Sequence, residues 1–231
     1  MIRKLFNYLL FIMMLFGIVG LSACGTDDRA LDEQREPVLP ELVDDEEDEV
    51  EEEDAPIPNP IVYEGHGDDV ISIESPEEGP VVLFIKGNEE GRHFAVKGYD
   101  DNDNATELFV NTSDPYAGTT LDDSGKTTVL EISAVGPWTI ESQSIRGMRS
   151  LESPGTIEGT GDEVLLVEGE TNLIEVKGNE EERHFALKGY GDSGSYLIVN
   201  TTDVYEGKNR MESGTSVLEV NAVGDWSITI E

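Results

Sequence analysis

From residue 61 to the C-terminus, apolar side chains recur at every second position, not at every third or fourth. The segments 70–73, 81–85, 93–96, 107–110, 129–132 and 138–141 are short and rich in β-branched or aromatic residues. Clusters of Gly, Asn, Asp and Pro separate them. That pattern predicts strands joined by turns. No window of a dozen residues after residue 61 has the spacing of an amphipathic helix. Seven or so short strands within about 80 residues must bury their inner faces against a second sheet. The predicted fold is therefore all-β, of the β-sandwich or jelly-roll-like kind.

The pattern occurs twice. Lys86-Gly87-Asn88-Glu89-Glu90-Gly91-Arg92-His93-Phe94-Ala95-Val96-Lys97-Gly98-Tyr99 returns as Lys177-Gly178-Asn179-Glu180-Glu181-Glu182-Arg183-His184-Phe185-Ala186-Leu187-Lys188-Gly189-Tyr190. Leu108-Phe109-Val110-Asn111-Thr112 returns as Leu197-Ile198-Val199-Asn200-Thr201, and Ala134-Val135-Gly136-Pro137-Trp138 as Ala222-Val223-Gly224-Asp225-Trp226. Gly65-His66-Gly67-Asp68-Asp69-Val70 matches Gly159-Thr160-Gly161-Asp162-Glu163-Val164. The offset between copies shrinks along the chain, as deletions in the intervening loops would make it. Two tandem modules follow, residues 61–141 and 157–231. The intervening 142–156 reads as a linker whose Ile145, Met148 and Leu151 are expected to pack the modules together.

Ahead of the modules the pattern is different. Met1-Ile2-Arg3-Lys4 is a positive leader to an apolar run over 5–21, which ends in Leu21-Ser22-Ala23-Cys24-Gly25. Charge, an apolar stretch and small residues in that order predict an export signal over residues 1–23. At 17 residues the run is at the short limit for a membrane-spanning helix, and the alternatives are an ordinary secretory signal or an uncleaved membrane helix. Leu21-Ser22-Ala23-Cys24 resembles the lipobox of bacterial lipoproteins. That resemblance implies a diacylglyceryl group on Cys24, the new N-terminus, and attachment to the membrane through that lipid. Residues 24–60 then form an acidic tether. Its centre, Asp44-Asp45-Glu46-Glu47-Asp48-Glu49-Val50-Glu51-Glu52-Glu53-Asp54, is almost wholly carboxylate and is flanked by prolines. Such a segment buries too little apolar surface to offset chain entropy and is expected to be disordered. As a flexible coil, residues 25–60 span about 35 Å.

Charge narrows the partners. The 231 residues carry 50 Asp+Glu against 15 Lys+Arg, a formal net charge of -35. A chain without a cationic footprint is a poor match for nucleic acid. An anionic membrane surface repels it too, so any membrane attachment must come from lipid. The one cysteine excludes an internal disulfide and a multi-cysteine zinc site.

Candidate chemistry is sparse. Alternation places Phe94, Val96 and Gly98 on one face, and His93, Lys97 and Tyr99 on the other. The polar set, duplicated as His184, Lys188 and Tyr190, is a candidate ligand stripe for a sugar, an anionic polymer or a protein; a solvated strand face explains it as well. Asp101, Asp103 and Glu107 supply oxygens at alternate positions, as a calcium loop does, though without its central glycine. Otherwise no cofactor is implied. Trp138 and Trp226 alternate with Ile140 and Ile228 and read as core. No nucleophile motif groups Ser, His and Asp, so no catalytic residue is assigned.

The modules also resemble a recurrent module of bacterial exported proteins, carried here by Phe94/Val96, by 108–112, by a Tyr116-Ala117-Gly118 turn and by Gly136-Pro137-Trp138-Thr139-Ile140. The second copy departs from it at Asp225 and Ser227. A looser similarity to pre-peptidase C-terminal sandwiches implies the fold alone. The expectation is a non-catalytic surface lipoprotein of the cell envelope whose modules bind an extracellular polymer, glycan or protein. The alternatives are an accessory to an extracellular hydrolase, or a calcium-binding surface protein.

Overall fold

A computed structural model describes residues 56–170 and 172–231. The leader, Cys24 and the tether through residue 55 lie outside the described residues. The first module holds eight strands: β1 (Ile61–His66), β2 (Asp69–Ser72), β3 (Val81–Gly87), β4 (Phe94–Tyr99), β5 (Ala105–Thr112), β6 (Tyr116–Asp122), β7 (Val129–Ser133) and β8 (Pro137–Ser144). They form two antiparallel sheets, ordered β1-β8-β3-β6 and β2-β7-β4-β5. This is the jelly-roll order, in which alternate pairs of strands cross between sheets.

The second module repeats it with β10 (Gly155–Thr160), β11 (Glu163–Glu168), β12 (Leu173–Gly178), β13 (Phe185–Gly191), β14 (Gly194–Thr201), β15 (Tyr205–Arg210), β16 (Thr215–Asn221) and β17 (Asp225–Ile230). The sheets are β10-β17-β12-β15 and β14-β13-β16-β11. A short strand β9 (Ser150–Glu152) extends the latter, parallel to β11. The described residues form all-β sandwiches, as the alternation predicts.

Each module has its own core. Leu83, Ile85, Phe94, Val96, Leu130, Ile132 and Ile140 meet between the first pair of sheets, and Leu165, Ile174, Val176, Phe185, Leu187, Leu218 and Ile228 between the second. Each such side chain removed from water stabilises the fold by about 1.5–3 kcal/mol. Trp138 and Trp226 are core, each 3% exposed. Trp138 lies across Gly65, its partner on β1, where a Cβ would fall 2.1 Å from the ring. Gly159 leaves the same space for Trp226.

Residues 142–156 carry structure throughout. They hold the end of β8, a 3-10 turn over Ile145–Gly147 capped by Ser144, strand β9 and the start of β10. Leu151 belongs to the core of the second module. Ile145 and Met148 pack against a third apolar cluster, Val82, Leu121, Val164 and Val217, drawn from both modules. Ile145 and Met148 therefore pack between the modules as expected, whereas Leu151 is buried within the second module.

One sequence reading is corrected. Tyr116-Ala117-Gly118 is not a turn but the start of β6. Glycine is needed there because a Cβ on Gly118 would fall 2.9 Å from the Cβ of Asp162 in the second module. In a strand, a glycine of this kind marks close approach of another chain segment.

Candidate functional site

The site is built from the outer face of one sheet in each module. On β4, Phe94 and Val96 point into the core, leaving Lys97 and Tyr99 on the opposite face. On β7, Leu130 and Ile132 point inward, leaving Val129 and Glu131 outward. The register pairs Lys97 directly with Glu131. The Lys97 ammonium lies 3.5 Å from one Glu131 oxygen, and the Tyr99 hydroxyl donates to the other at 2.9 Å. Module 2 builds the same group from Lys188, Tyr190 and Glu219: the register pairs Lys188 with Glu219, its ammonium is 3.3 Å away, and the Tyr190 hydroxyl donates at 2.6 Å.

The two copies differ in what covers them. Glu131 is about half exposed, whereas Glu219 is buried. Val70 on β2 is 67% exposed and its counterpart Val164 on β11 is 1% exposed. The second face is docked on β6, the edge strand of the first module. Glu219 Oε1 accepts from the Leu121 N–H at 3.3 Å, Thr119 Oγ1 accepts from the Val164 N–H at 3.0 Å, and the Asp162 carbonyl accepts from the Thr119 N–H at 3.0 Å. These bonds satisfy backbone donors that an edge strand otherwise presents to solvent. Arg183 adds a rim ion pair to Asp114 at 2.7 Å.

Asp162 is the pivot of the docking. Its Oδ1 accepts from the Ala222 N–H at 2.8 Å and its Oδ2 from the Tyr116 hydroxyl at 2.7 Å. Burial raises its pKa above the usual carboxylate range, partly offset by those two hydrogen bonds. Burial and the Asp162 charge push the Tyr116 phenol well upward. Tyr190 is raised by burial and then by the Glu219 charge, and Tyr99 by its hydrogen bond to Glu131. A phenol shifted upward is further from ionisation at neutral pH. It offers a hydrogen bond, not a base.

The histidines stand apart from the stripe. His93 and His184 are exposed and precede β4 and β13, in connections organised by Asn88 and Asn179. Asn88 Oδ1 accepts from the Arg92 N–H at 2.7 Å, and Asn179 Oδ1 from that of Arg183 at 3.0 Å. Strand alternation therefore ends before the histidine and does not carry it onto the Lys-Tyr face. The third member of that face is the glutamate, Glu131 or Glu219. Its only sequence signal is the duplicated Val-Leu-Glu of 129–131 and 217–219.

Asp101, Asp103 and Glu107 are also not gathered together. Among the described residues no group of three His, Cys, Asp or Glu side chains has metal-holding geometry. The hairpin between β4 and β5 is organised by Asp100, whose Oδ1 accepts from the N–H groups of Asn102 and Asn104 at 2.9 Å each. The Asn104 side-chain amide, which also donates to this carboxylate, comes first, and with these two N–H groups it holds the carboxyl below the usual range. Asp103 takes the left-handed conformation that closes the turn, with φ 61°. A shallow open depression of about 560 Å³ lies over β10, β17 and β12, beside Lys177, Glu180 and Asp225. None of the predicted site residues lines it.

No protein-family model matches the chain, and no curated protein matches it in sequence. Among solved structures it is similar to the crystal structure of PBSX exported protein XepA. The identity is 11%, the TM-score 0.24, and the match covers 76% of this chain and 86% of that one. A likeness this slight carries no argument about function. Among the described residues no helix is long and apolar enough to cross a membrane.

Proposed function

We propose that the chain is a non-catalytic envelope lipoprotein, held to a membrane by lipid on Cys24 and presenting the outer face of β2-β7-β4-β5 to an extracellular partner. One observation carries the binding half of this reading. The Lys97–Tyr99–Glu131 face lies open, with Val70 67% exposed, while its copy in module 2 is the buried half of a contact between folded modules. A surface already used for docking at one site in the chain is chemically suited to docking at its other site. The anchoring half rests on the order of charge, apolar run and small residues ending at Cys24. Two or more acyl chains hold a protein stably, which one chain does not.

Both halves are tested on the full chain from its native cells. Mass spectrometry of the N-terminal peptide is expected to show acylated Cys24, and Cys24→Ala to release the protein from membranes. An unmodified thiol on membrane-derived protein defeats the anchor. Retention on cell-wall fractions, glycans, secreted proteins or immobilised chain is expected to fall with Val70→Glu and to survive a His93→Ala/His184→Ala double variant. Loss in the histidine variant with retention in Val70→Glu would move the site off this face.

A further inference from the structure

The face that docks module 2 is duplicated in module 1, where the described residues leave it uncovered. Val164, Val217, Lys188, Tyr190 and Glu219 correspond to Val70, Val129, Lys97, Tyr99 and Glu131; among the outward apolar positions Leu166 alone changes, to Ser72. We propose that this bare face docks a second copy of the chain, on the β15 edge of its module 2, so that copies assemble head to tail. The proposal deepens the binding reading above and rests on it.

The loop that leads the docking is already formed on the bare side. In module 2, the Gly161 N–H donates to the Gly224 carbonyl at 3.1 Å, Trp226 Nε1 donates to the Gly161 carbonyl at 2.9 Å, and Asp162 Oδ1 accepts from Ala222. In module 1 the Gly67 N–H donates to the Gly136 carbonyl at 3.0 Å, Trp138 Nε1 donates to the Gly67 carbonyl at 3.0 Å, and Asp68 Oδ1 accepts from the Ala134 N–H at 2.9 Å. Asp68 is thus held as Asp162 is held, but it is exposed, with no Tyr116 to meet.

The receiving strand also has its copy. β15 pairs with β12 in the register that β6 takes with β3, so Tyr205 and Gly207 stand where Tyr116 and Gly118 stand. The tyrosine that reaches the aspartate and the glycine that makes room for it are both retained. The Tyr205 hydroxyl meanwhile exchanges hydrogen bonds with Asn209 of its own strand, at 2.8 and 3.2 Å. Where β6 carries Thr119 and Leu121, β15 carries Lys208 and Arg210, both exposed. Lys208 pairs with Glu231 at 2.6 Å and with Glu175 at 3.6 Å, whereas Arg210 makes no ion pair among the described residues. With Glu206 beside them, Lys208 and Arg210 leave this edge strand one net positive charge, in a chain with 15 basic residues against 50 acidic ones. In the docked arrangement they face Asp68, Asp69 and Glu131. The pair guards the edge against indiscriminate strand pairing while matching this one acidic face.

The contact is heterologous, since the two surfaces differ, and such contacts propagate unless a rotation closes them. Replacing Leu121 and Leu166 by Arg210 and Ser72 makes it more polar than the contact within the chain, and it lacks the covalent link. It therefore forms where anchoring at a membrane raises the local concentration.

The test uses the chain from residue 24 onward with Cys24→Ser, followed by sedimentation as concentration rises. The unaltered interface is expected to give a mass that grows beyond the monomer. Val70→Glu spoils the bare face and Arg210→Glu spoils the edge; each alone is expected to weaken association at least about tenfold. An equimolar mixture has one intact face and one intact edge, so it is expected to regain a dimer and stop there. Both positions are exposed, and unchanged melting curves establish that the variants fold. As a second readout, a short bismaleimide is expected to link Val70→Cys chains to Lys208→Cys chains, and not to Val62→Cys chains. A monomer at all concentrations up to about 1 mM overturns the proposal. So does association that Val70→Glu weakens but Arg210→Glu leaves unchanged, or a mixture that stays monomeric. A monomer that still retains a glycan or secreted protein through Val70 overturns self-docking and leaves the binding face standing. Absence of both removes the two readings together.

Discussion

Glu219 lies under the edge of β6, its Oε1 3.3 Å from the N–H of Leu121. Its other oxygen accepts from Tyr190 and pairs with Lys188. The same glutamate on the other module, Glu131, faces solvent with the same two neighbours. A single sequence motif thus serves two environments, and the contrast makes a paired prediction.

Glu219→Ala leaves the Tyr190 hydroxyl and a β6 N–H without partners in a buried contact, at a cost of about 1–3 kcal/mol. Glu131→Ala removes an exposed pair and is expected to cost under about 1 kcal/mol. Urea unfolding of both variants checks the asymmetry; equal losses would show that the docking adds nothing.

Asp162 links the docking to pH. Its folded pKa is raised by burial, so the folded state binds a proton more tightly than the unfolded chain does. The favourable contribution of that proton is complete below the ordinary carboxylate pKa and is lost as pH rises through the raised value. Lowering pH from neutral towards the ordinary carboxylate pKa is therefore expected to raise the melting temperature through this group. Asp162→Asn keeps an acceptor for Ala222 and is expected to flatten the part of the slope that this group contributes. Screening of the remaining acidic charge acts on both proteins, so the difference between the two profiles is the measurement. Parallel profiles would exclude Asp162 as the source.

Gly118→Ala is expected to loosen the contact between modules. Its Cβ would press on Asp162 Cβ at 2.9 Å and on the Asp162 carbonyl oxygen at 3.1 Å, and backbone gives way poorly. Overpacking of this kind costs about 1–3 kcal/mol. Gly207→Ala meets the movable tip of Tyr205 and costs less in the monomer. Hydrogen exchange of the Thr119 and Val164 amides, both bonded across the contact, is expected to accelerate in Gly118→Ala alone.

Gly65→Ala places a methyl 2.1 Å from the Trp138 ring, which the core holds in place. At Gly136 nothing lies within 4 Å. The first substitution is expected to cost more than about 2 kcal/mol and to quench or shift the tryptophan emission. Gly136→Ala, which meets nothing, is expected to leave both stability and emission nearly unchanged.

Several of these features are legible along the chain. Phe94, Val96, Leu130, Ile132 and Trp138 announce themselves as core because alternate residues of a strand share one face. The Lys97–Tyr99 stripe follows from the same alternation, but His93 does not join it, because the strand begins one residue later and Asn88 holds the preceding loop in its own hydrogen bonds. Glu131 was hidden among 50 acidic residues. Its distinction is a cross-strand register with Lys97, which depends on which strands become neighbours. β6 was hidden for a similar reason: Tyr-Ala-Gly is a fair turn by composition, and the atoms that require its glycine sit in the other module.

Local spacing and self-similarity therefore account for the strands, the inward faces and the duplication, since these rest on steric rules that act over a few residues. Whether a given face ends up covered or bare lies beyond their reach. Val70 and Val164 occupy matching positions in matching strands, yet one is 67% exposed and the other 1%. That outcome is set by what packs across from each of them. Packing between distant segments depends on how whole modules meet in space, and no short stretch of sequence encodes it.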